Sequence, residues 1–452
     1  MRSRRQYPGI RQPELTLSGS IGLWVLILAV IASGVWVLFG WTTLFVWIDQ
    51  ADRVQYSLVL AGGIGAVAAL VVSYRKQKLA EANAVLDLES HFGGRFLAAT
   101  EQLGSSNPII RMAGAVSLAR LADDWVTQRQ MVVNVITSYL RISAPDVDVT
   151  EDEIRASLFR SIRDHLRPSA SPDWQGLNFD FTNAEIAGAD FTEIEMRAGT
   201  ILNFTDATFS RGFVRFSGTY EGTTLAFTRS RFRGAIVEIS ATIGVDLLDF
   251  EGATISGGSV RMDRSTFAGN QISFQGLVIR DANLSFSGSV FNTQNIDFAG
   301  ALVEGDGGFF FDHCNVLSGD VSFISARFNG RLALFAGTTF TGREIYFNGT
   351  RFAAEKTIFE GIDFAGDVVD FTGAIFFGPH VGFHKAVIHP KSLIVDDAAY
   401  VDGVVDWGRL DKMRDTFAVF PDGEALLADE YLQQESRMQY AREAFARQRQ
   451  DD

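Results

Sequence analysis

The feature that most constrains this chain is a phenylalanine that returns about every twelve residues from Phe250 to Phe383. A second large apolar residue follows most of these phenylalanines five positions later, as Ile279 follows Phe274. A fixed short period of this kind is typical of a solenoid, in which each repeat stacks on its neighbours. The sequence therefore predicts a rod with an extended outer surface, and it gives no reason to expect a substrate pocket.

The size of the phenyl ring sets the length of one coil. A coil of twelve residues would be too thin, because stacked rings from its two sides would collide in the interior. We therefore predict coils of about 24 residues with a rectangular section, each built from two units of five plus seven residues. One extra residue falls between Phe298 and Phe323, which predicts a bulge or kink near Phe309, Phe310 and Phe311.

Two further slots of the repeat carry characteristic residues. Glycine recurs two positions after the phenylalanine, which predicts corners with positive φ at Gly252, Gly276, Gly288, Gly300, Gly337, Gly349, Gly361 and Gly373. The next position is mostly small, as at Ala253, Ser289, Ala301, Ala326, Thr338, Thr350 and Ala374. We expect these small side chains to point into the rod beneath the rings.

The first turns of the repeat region show a shorter pattern. Large residues stand five apart at Phe181, Ile186, Phe191, Met196 and Ile201. Two small–acidic–large triplets accompany them, Ala184-Glu185-Ile186 and Ala189-Asp190-Phe191. These residues resemble the repeats of the bacterial pentapeptide-repeat family. The resemblance implies a right-handed, four-sided β-helix in this region.

Two apolar runs precede the repeats, Ile21–Ile48 and Tyr56–Ser73. Each is long enough to cross the ~30 Å hydrocarbon core of a bilayer as a helix. Few basic residues lie between them, but several flank the pair, at Arg2, Arg4, Arg5, Arg11, Arg75, Lys76 and Lys78. The positive-inside rule therefore predicts a transmembrane hairpin over residues 21–73, with the lipid bilayer as partner and both termini in the cytoplasm. The expected location is the inner membrane of a bacterial cell.

Two alternatives qualify this hairpin. A signal peptide would end at the cleavage motif Val30-Ile31-Ala32, but the apolar stretch continues well past Ala32 and a second run follows, so we favour the anchor. Small residues that permit close helix packing recur in the second run, at Ala61, Gly62, Gly65, Ala66 and Ala69. They suit packing against the first run of the same chain, and they also suit packing between chains in a homo-oligomer.

Helical spacing follows the apolar runs, from residue 74 to residue 166. An amphipathic stripe opens it, at Leu79, Ala82, Leu86 and Leu88. Gly93-Gly94 predicts a break or a bend, Asn107-Pro108 predicts the start of a second helix, and Arg129–Arg141 predicts a third. Thr150 and Glu153 predict a capping box for a fourth helix, whose buried stripe is Ile154, Leu158 and Ile162.

Part of this helical connector resembles the helical segment of membrane-anchored bacterial pentapeptide-repeat proteins. The residues that carry the likeness are Arg95-Phe96, Glu101-Gln102-Leu103-Gly104-Ser105, Arg111, Gly114-Ala115, Leu118, Arg120-Leu121-Ala122 and Tyr139-Leu140-Arg141. That family usually has an acidic residue where Ala119 stands, so an ion pair common there is expected to be missing. The resemblance implies a solenoid that is tethered to a membrane through the connector.

Charge and cysteine content narrow the classes of function. The 452 residues carry a formal net charge of −14, and the stretch from Trp174 to Ile394 holds 24 acidic against 16 basic residues. An acidic rod repels the backbone of nucleic acids, so no nucleic acid partner is expected, whereas basic partners would be attracted. Cys314 is the single cysteine, which excludes an intramolecular disulfide and fits a reducing compartment.

No constellation of residues predicts catalysis, cofactor binding or a metal site. Cys314 stands in a small-residue slot beside His313 alone, which predicts a buried packing residue and no nucleophile. Three histidines match no standard zinc spacing and are expected to face solvent: His380, His384 and His389. Three aspartates would suit a calcium-assisted polysaccharide-cleaving site, but such sites act outside the cell: Asp363, Asp367 and Asp370.

The sequence as a whole predicts a multi-domain chain that is all-α at its N-terminal end and all-β beyond. The expected parts are a cytoplasmic basic tail (1–20), a transmembrane hairpin (21–73), a cytoplasmic helical connector (74–166), a pentapeptide-like β-solenoid (174–407) and a C-terminal helical segment (408–452). The connector would cover the first coil, and Ala398–Trp407 would close the last. A helix over Glu424–Gln448 would dock on the final coil or pair with another chain.

Three functions are compatible with this organisation. We expect a non-catalytic interaction or scaffolding module, whose rigid outer face binds an unidentified protein partner. The second hypothesis is a DNA-mimicking protein that binds topoisomerase, as soluble pentapeptide-repeat proteins do. The acidic charge fits this hypothesis, and the predicted anchor fits it poorly. The third hypothesis is an oligomeric channel or mechanosensory component that is gated through the hairpin.

Overall fold

The computed structural model describes residues 50–142, 149–221, 224–401, 405–406 and 418–420, together with Val30, Ser33, Gly34 and Val37. The chain divides into two compact units, Met1–Gly93 and Gly94–Asp452. In the described residues, the first unit contains most of one long helix. The second contains shorter helices followed by a parallel β-solenoid over residues 178–406.

The described helices are α1 Gln50–Leu103, α2 Pro108–Asp124, α3 Arg129–Arg141 and α4 Val149–His165. A short 3₁₀ helix, Val126–Gln128, lies between α2 and α3. The predicted start of α2 is confirmed, because the Asn107 side chain accepts a hydrogen bond from the backbone N–H of Ile109 at 2.9 Å. The predicted bounds of α3 are confirmed as well.

Two helix ends differ from those predicted. α1 continues through Gly93-Gly94, so a break at that position is wrong and a bend stays a prediction; glycine lowers helix propensity but still supplies the N–H that the helix needs. Thr150 is not an N-cap, since α4 already begins at Val149, and Glu153 instead forms an ion pair with Arg160 at 2.6 Å. The stripe behind them is confirmed as buried: Ile154, Leu158 and Ile162.

The predicted membrane hairpin lies only partly within the described residues. Its first run, 21–48, is outside them apart from four single positions. The second run, 56–73, is helical as part of α1, and the stripe predicted after it is exposed at Leu79, Ala82, Leu86 and Leu88. Among the described residues, no helix combines the length and the apolar content that crossing a bilayer requires. The membrane anchor therefore stays a prediction.

The strands are short, and most contain two or three residues. In the first coils they are β1 Asn178–Asp180, β2 Glu185–Ile186, β3 Ala189–Met196, β4 Ile201–Asn203, β5 Thr208–Phe209, β6 Phe213–Glu221, β7 Thr224–Ala226, β8 Arg231–Arg233, β9 Ile236–Gly244 and β10 Leu247–Asp249. Next come β11 Thr254–Ser256, β12 Ser259–Arg261, β13 Thr266–Phe267, β14 Gln271–Ser273, β15 Val278–Arg280, β16 Asn283–Ser285, β17 Val290–Asp297, β18 Leu302–Glu304, β19 Gly308–Phe310 and β20 Asn315–Ser322. The remainder are β21 Arg327–Phe328, β22 Leu332–Leu334, β23 Thr339–Phe340, β24 Glu344–Tyr346, β25 Arg351–Phe352, β26 Lys356–Ile358, β27 Asp363–Phe364, β28 Val368–Asp370, β29 Ile375–Phe376, β30 Val381–Gly382, β31 Val387–Ile388, β32 Ser392–Ile394, β33 Ala399–Val401, β34 Val405–Asp406 and β35 Ala418–Phe420.

These strands stack in parallel as four columns, one for each side of the coil. Column one contains β1, β4, β7, β10, β14, the end of β17, the end of β20, β24, β28 and β32. Column two is the separate eleven-stranded sheet from β2 to β35. Column three begins with β3, β6, β9 and β12, and column four begins with the second halves of β3, β6 and β9, followed by β13. The columns agree with the predicted rectangular section, while the handedness of the coil stays a prediction.

Pairing partners confirm the coil length that was predicted for the phenylalanine-rich part. Leu248 pairs with Ile272, and Ile272 pairs with Ile296, so each of these coils has 24 residues, a spacing repeated by side-chain hydrogen bonds between coils. One coil of 25 residues follows, because Ile296 pairs with Val321. The solenoid makes about nine turns in total.

The first coils depart from the five-residue pattern predicted for them. Leu202 pairs with Leu225, and Leu225 pairs with Leu248, so these coils have 23 residues and not twenty. Ile201, which the five-residue spacing places inside, is only partly buried, whereas Leu202 beside it is fully buried. The pattern fails there because the coil contains more residues than four five-residue sides allow.

The extra residue of the longer coil lies in a turn just before the predicted position. Glu304 pairs with Arg280, and Gly308 pairs with Asn283. Three residues, 305–307, therefore stand where two stand in the preceding coil. The turn absorbs the insertion, so the inward and outward alternation of β19 is preserved.

Phenyl rings fill the interior of the rod. In one stack each neighbouring pair is near-parallel, with ring centroids 4.5 to 5.2 Å apart: Phe181, Phe204, Phe227, Phe250, Phe274, Phe298, Phe323, Phe347 and Phe371. Rings from the opposite side meet this stack edge-on, as Phe286 meets Phe298 at 5.8 Å and 82°. Two facing rings need this width, which explains why one coil takes about 24 residues.

The predicted glycine corners are confirmed. All eight glycines have a positive φ, between 61° and 70°. Other coils place non-glycine residues in the same slot, also with positive φ: Asn183, Asp206, Arg229, Arg264, His313, Ser325, Lys385 and Asp397. Asn and Asp tolerate this conformation, whereas the longer side chains are strained in it. The adjoining small-residue slot is buried throughout, as predicted.

Column two extends past the predicted end of the rod. β35 pairs with β33, so the segment Ala398–Trp407 does not form the last layer. Residues 418–420, which were predicted to belong to a helical segment, form a strand because β33 offers them a free edge. The helix predicted over Glu424–Gln448 lies outside the described residues.

Candidate functional site

Cys314 lies in the small-residue slot of its coil and is fully buried. Its Sγ donates to the carbonyl of Phe286 at 3.1 Å. The hydroxyls of Ser289 and Thr350 make equivalent bonds to the preceding coil, each at 2.7 Å. Burial raises the pKa of the Cys314 thiol to about 12. A thiol that is held neutral and out of reach of solvent is suited to packing and poorly suited to nucleophilic attack.

The three candidate histidines, His380, His384 and His389, are exposed. His389 Nδ1 lies 3.7 Å from a carboxylate oxygen of Asp363. Within the part of the chain that the structure describes, no three His, Cys, Asp or Glu side chains converge as metal ligands would. These histidines therefore sit where the sequence placed them, on the outer surface.

The three candidate aspartates do not share a site. Asp363 belongs to β27 in column four, whereas Asp370 belongs to β28 in column one. Asp367 forms an ion pair with Lys391 at 2.5 Å. Asp370 accepts a hydrogen bond from the backbone N–H of Thr372 at 2.8 Å. Each carboxylate has its own partner, and the three do not converge on a common point.

The contact made by Asp370 recurs at the same corner of other coils. A side-chain oxygen accepts the backbone N–H two residues later, over 2.8 to 3.0 Å, at Asp180, Asn203, Asp249, Asp297 and Asp370. This Asx turn shapes the corner that follows column one. Part of the negative charge of the rod is therefore bound to its own backbone. The sequence carried the signal, an Asp or Asn directly before a stacked phenylalanine.

Helices α3 and α4 cover the first coil, as predicted for the connector. The Phe159 ring of α4 lies 5.5 Å from that of Phe181 and 5.7 Å from that of Phe191. The Gln130 amide of α3 accepts from the backbone N–H of Asn178 at 3.0 Å and donates to its carbonyl at 2.9 Å. Gln130 thus takes the place of a neighbouring strand at the edge of β1.

Arg155 is a buried arginine in this helical cap, with 8% of its surface exposed. Its guanidinium donates to the carbonyls of Leu140 and Ile142 at the end of α3, and to the carbonyl of Glu185 in β2 at 2.9 Å. The side chain satisfies helix-end carbonyls that would otherwise be buried without a partner. It also joins the cap to the first coil. Sequence analysis did not single it out.

An irregular part of the rod surface adjoins the cap. β6 and β9 pair over nine consecutive residues and therefore run straight through the corner between columns three and four. The corner returns in the next coil, where residues 262–265 stand opposite residues 239–241. The outward side chains of the two long strands form a flat surface that we call the long-strand patch: Phe213, Arg215, Ser217, Thr219, Ile236, Glu238, Ser240 and Thr242.

A cavity borders the long-strand patch on each side. The cap cavity has a volume of about 370 Å³ and lies between α4 and the first coils, lined in part by Asp152, Ala156, Gly188, Asp190, Phe213 and Arg215. The ledge cavity has a volume of about 420 Å³ and lies where the corner returns, lined in part by Glu238, Arg261, Asp263 and Arg264. The patch is therefore a shallow trough between a helix and a step in the solenoid.

Charges of opposite sign alternate along column three in this trough. Arg163 of α4 contacts Asp190, and Arg215 lies 3.6 Å from Glu238. Glu238 lies at the same distance from Arg261. The guanidinium of Arg215 also lies 5.1 Å from the ring of Phe213, in cation–π geometry. This trough combines exposed arginine with an exposed aromatic ring, as the centres of many protein interfaces do.

Sequence analysis missed the long-strand patch. The signal is faint, because the coil from Phe216 to Ile239 is only one residue shorter than the coil from Leu248 to Ile272. Ala241 occupies the slot in which most other coils carry a residue with positive φ. Neither feature indicates that β6 and β9 continue straight through the corner and form a trough beside the helical cap.

Comparison with known proteins adds no assignment. No protein-family model matches the chain, and the searches of curated proteins and of solved structures find no match. The parallel solenoid is read from the strand pairings alone, and the long-strand patch remains a candidate site.

Proposed function

We propose that this chain is a non-catalytic interaction module, and that the long-strand patch is its contact surface for a protein partner. The observation that carries the proposal is the loss of the corner between columns three and four in two neighbouring strands, β6 and β9, beside the helical cap. That loss produces a flat surface with a cavity on each side and with an exposed Phe213. Repeat proteins commonly bind partners through extended rigid surfaces of this kind.

The filled interior of the solenoid supports the same proposal. Stacked phenyl rings occupy the axis of the rod, which leaves the outer surface for recognition. The Asx-turn carboxylates of column one shape the coil, so they are less available to imitate a nucleic acid backbone. This favours a protein-binding module over the DNA-mimicking alternative.

We further propose that a membrane hairpin over residues 21–73 anchors the module on the cytoplasmic side of a bacterial inner membrane. The support is the sequence, which carries two apolar runs flanked by basic residues. We expect the full-length chain to resist extraction from membranes by alkaline carbonate. We also expect a tag at Asp452 to be inaccessible from outside intact cells. Release of the chain by carbonate would contradict the anchor and leave the contact surface untouched.

Site-specific photo-crosslinking in the organism that encodes the chain tests the contact surface. A photoreactive phenylalanine analogue replaces Ser240 or Thr242, both exposed on β9. The matched control position is Thr341, which is exposed on a regular coil far along the rod. We expect one discrete protein adduct at Ser240 and Thr242 and none at Thr341. Equal labelling at all three positions, or an adduct at Thr341 alone, would overturn the assignment of the patch.

A further inference from the structure

We infer that the cap cavity receives an acidic side chain of the partner, with its carboxylate on Arg215 and an adjoining apolar side chain against Phe213. This inference rests on the proposed function, because it names the chemistry of the partner at the same patch. Three features of the cavity support it: the small residues of its floor, the pairing of its carboxylates and the exposure of Arg215.

The shape of the cavity suits a short side chain that enters from solvent. Its floor is formed by small residues, Ala187, Gly188 and Ala189, and its helical wall by Ala156. Gly188 has a φ of 127°, and no neighbouring atom comes closer than 3.6 Å to the position that a Cβ would take. The backbone of the first coils therefore forms the floor without a side chain that would fill the space.

Most charged groups around the cavity already have strong partners. Arg211 pairs with Asp152 at 2.7 Å, and Arg160 pairs with Glu153 at 2.6 Å. Arg163 pairs with Asp190. The buried Arg155 donates its hydrogen bonds to backbone carbonyls, as described above. The three carboxylates of the cavity, Asp152, Glu153 and Asp190, thus each contact an arginine, and Arg163 contacts Asp164 as well as Asp190.

Arg215 differs from these arginines. Its contact with Glu238 is long, at 3.6 Å, and Glu238 is shared with Arg261 at the same distance. Its side chain is 53% exposed at the rim of the cavity. Arg215 stands between Asp190 and Glu238 on column three, and among the described residues no hydrogen bond with normal geometry occupies its guanidinium. A second carboxylate would form the paired hydrogen bonds that the planar guanidinium offers and Glu238 does not fill.

The Phe213 ring indicates which kind of residue should adjoin the carboxylate in the partner. Phe213 is 52% exposed and lies 5.1 Å from the guanidinium carbon of Arg215. An exposed phenyl ring gains about 25 cal/mol for each Å² of apolar surface that a partner covers. The fitting partner segment therefore carries Asp or Glu next to an apolar residue. An exposed guanidinium with unfilled donors beside an exposed ring makes this position distinctive.

Fluorescence anisotropy on the purified full-length chain tests the inference. The probe is an end-blocked, rhodamine-labelled pentapeptide, Gly-Asp-Phe-Glu-Gly. Control peptides replace its acidic residues by lysine and arginine, or its phenylalanine by alanine, and a labelled oligothymidine tests for binding of phosphate backbones. We expect the acidic aromatic peptide to bind at least about tenfold more tightly than each control, with affinity falling as salt is added.

Three variants locate the binding on the chain. Arg215→Gln should weaken binding of the probe about tenfold or more, since it removes the charged donor. Ala156→Phe, which fills the cavity and leaves every charge in place, should abolish binding. Arg343→Gln is the matched control, because Arg343 is an exposed arginine that pairs with Asp320 at 2.7 Å on another side of the rod. An unchanged thermal transition is required of all three variants.

Several outcomes would overturn the inference. These are equal binding of the charge-reversed peptide or the oligothymidine, equal binding by Arg215→Gln, and no binding of the probe at all. The crosslinking experiment at Ser240 and Thr242 distinguishes this failure from a failure of the proposed function. A discrete adduct without peptide binding would support the long-strand patch as the contact surface and would contradict the proposal of an acidic partner segment.

Discussion

At the scale of single residues, one slot of the repeat governs the corners of the coil. The residue two positions after the stacked phenylalanine has positive φ in coil after coil, whether it is glycine or not. Glycine adopts this conformation freely, whereas other L-residues lose roughly 1–2 kcal/mol in it. Arginine, histidine and lysine in this slot are therefore sites of stored strain. The stacking of one coil on the next holds them there.

The strain can be measured at Arg264, for which the described residues show no ion pair and which has a φ of 53°. Arg264→Gly should raise the free energy of unfolding by about 0.5–1 kcal/mol, since the relieved strain exceeds the entropy that glycine adds to the unfolded chain. Denaturant unfolding of the full-length chain gives this difference. A loss of stability would contradict the strain argument.

The matched substitution lies in the next coil at Gly288, where φ is 70°. Gly288→Ala should lower stability by a similar amount. The added Cβ would meet the Arg264 side chain at 3.6 Å, an ordinary contact, so the cost would come from the backbone conformation alone.

At the scale of elements, the helical cap protects the first coil with side chains in place of a strand. Gln130 pairs with both backbone groups of Asn178, and Arg155 reaches the carbonyl of Glu185. An exposed strand edge invites pairing with other chains, and repeat arrays need terminal elements that prevent it. The cap also forms one wall of the long-strand patch, so it positions the site as well as closing the rod.

Replacing Arg155 should destabilise the first coil and the helical cap without destabilising the later coils. Arg155→Met keeps the packing volume but leaves several buried carbonyls without donors, which should cost roughly 2–4 kcal/mol. Hydrogen exchange of the full-length chain should become faster in β1, β2 and α4, while β24 and β28 stay protected, because each coil contacts only its neighbours.

Arg160→Met is the control for that experiment, since Arg160 forms an exposed pair with Glu153 and should be nearly neutral. Uniformly faster exchange along the whole rod after Arg155→Met would show that the cap does not act locally.

At the scale of the whole molecule, the solenoid is a stack in which the coil is the unit of structure. The coil length is the same from Ile272 to Ile296 and again from Val321 onward. Departures from this length are absorbed in turns, as at residues 305–307, or by straightening a corner, as in β9. The proposed contact surface lies at one of these departures, where β6 and β9 change the backbone outline that the regular coils repeat.

Deleting one complete coil tests whether the coil is the unit of structure in the solenoid. Removal of residues 323–346 joins Ser322 to Phe347, so the phenylalanine stack and all four columns continue in register. We expect a folded chain whose melting temperature changes by only a few degrees. Removal of residues 323–345, one residue fewer, places Tyr346 in the phenylalanine slot and should prevent folding or lower the melting temperature by more than about 10 °C. Equal stability of the two deletions would reject the coil as the unit.

The sequence by itself determined the length of the phenylalanine-rich coil, the corners with positive φ, the buried place of Cys314 and the exposed place of the histidines. These features can be predicted from the sequence because each residue packs against the equivalent residue one coil away. The spacing of the repeat therefore identifies which residues are in contact. Only the tertiary structure decided that α1 runs through Gly93-Gly94, that Arg155 reaches into the first coil, and that β6 and β9 leave a trough beside α4. Those outcomes depend on contacts between segments that do not repeat, and no period in the chain records them.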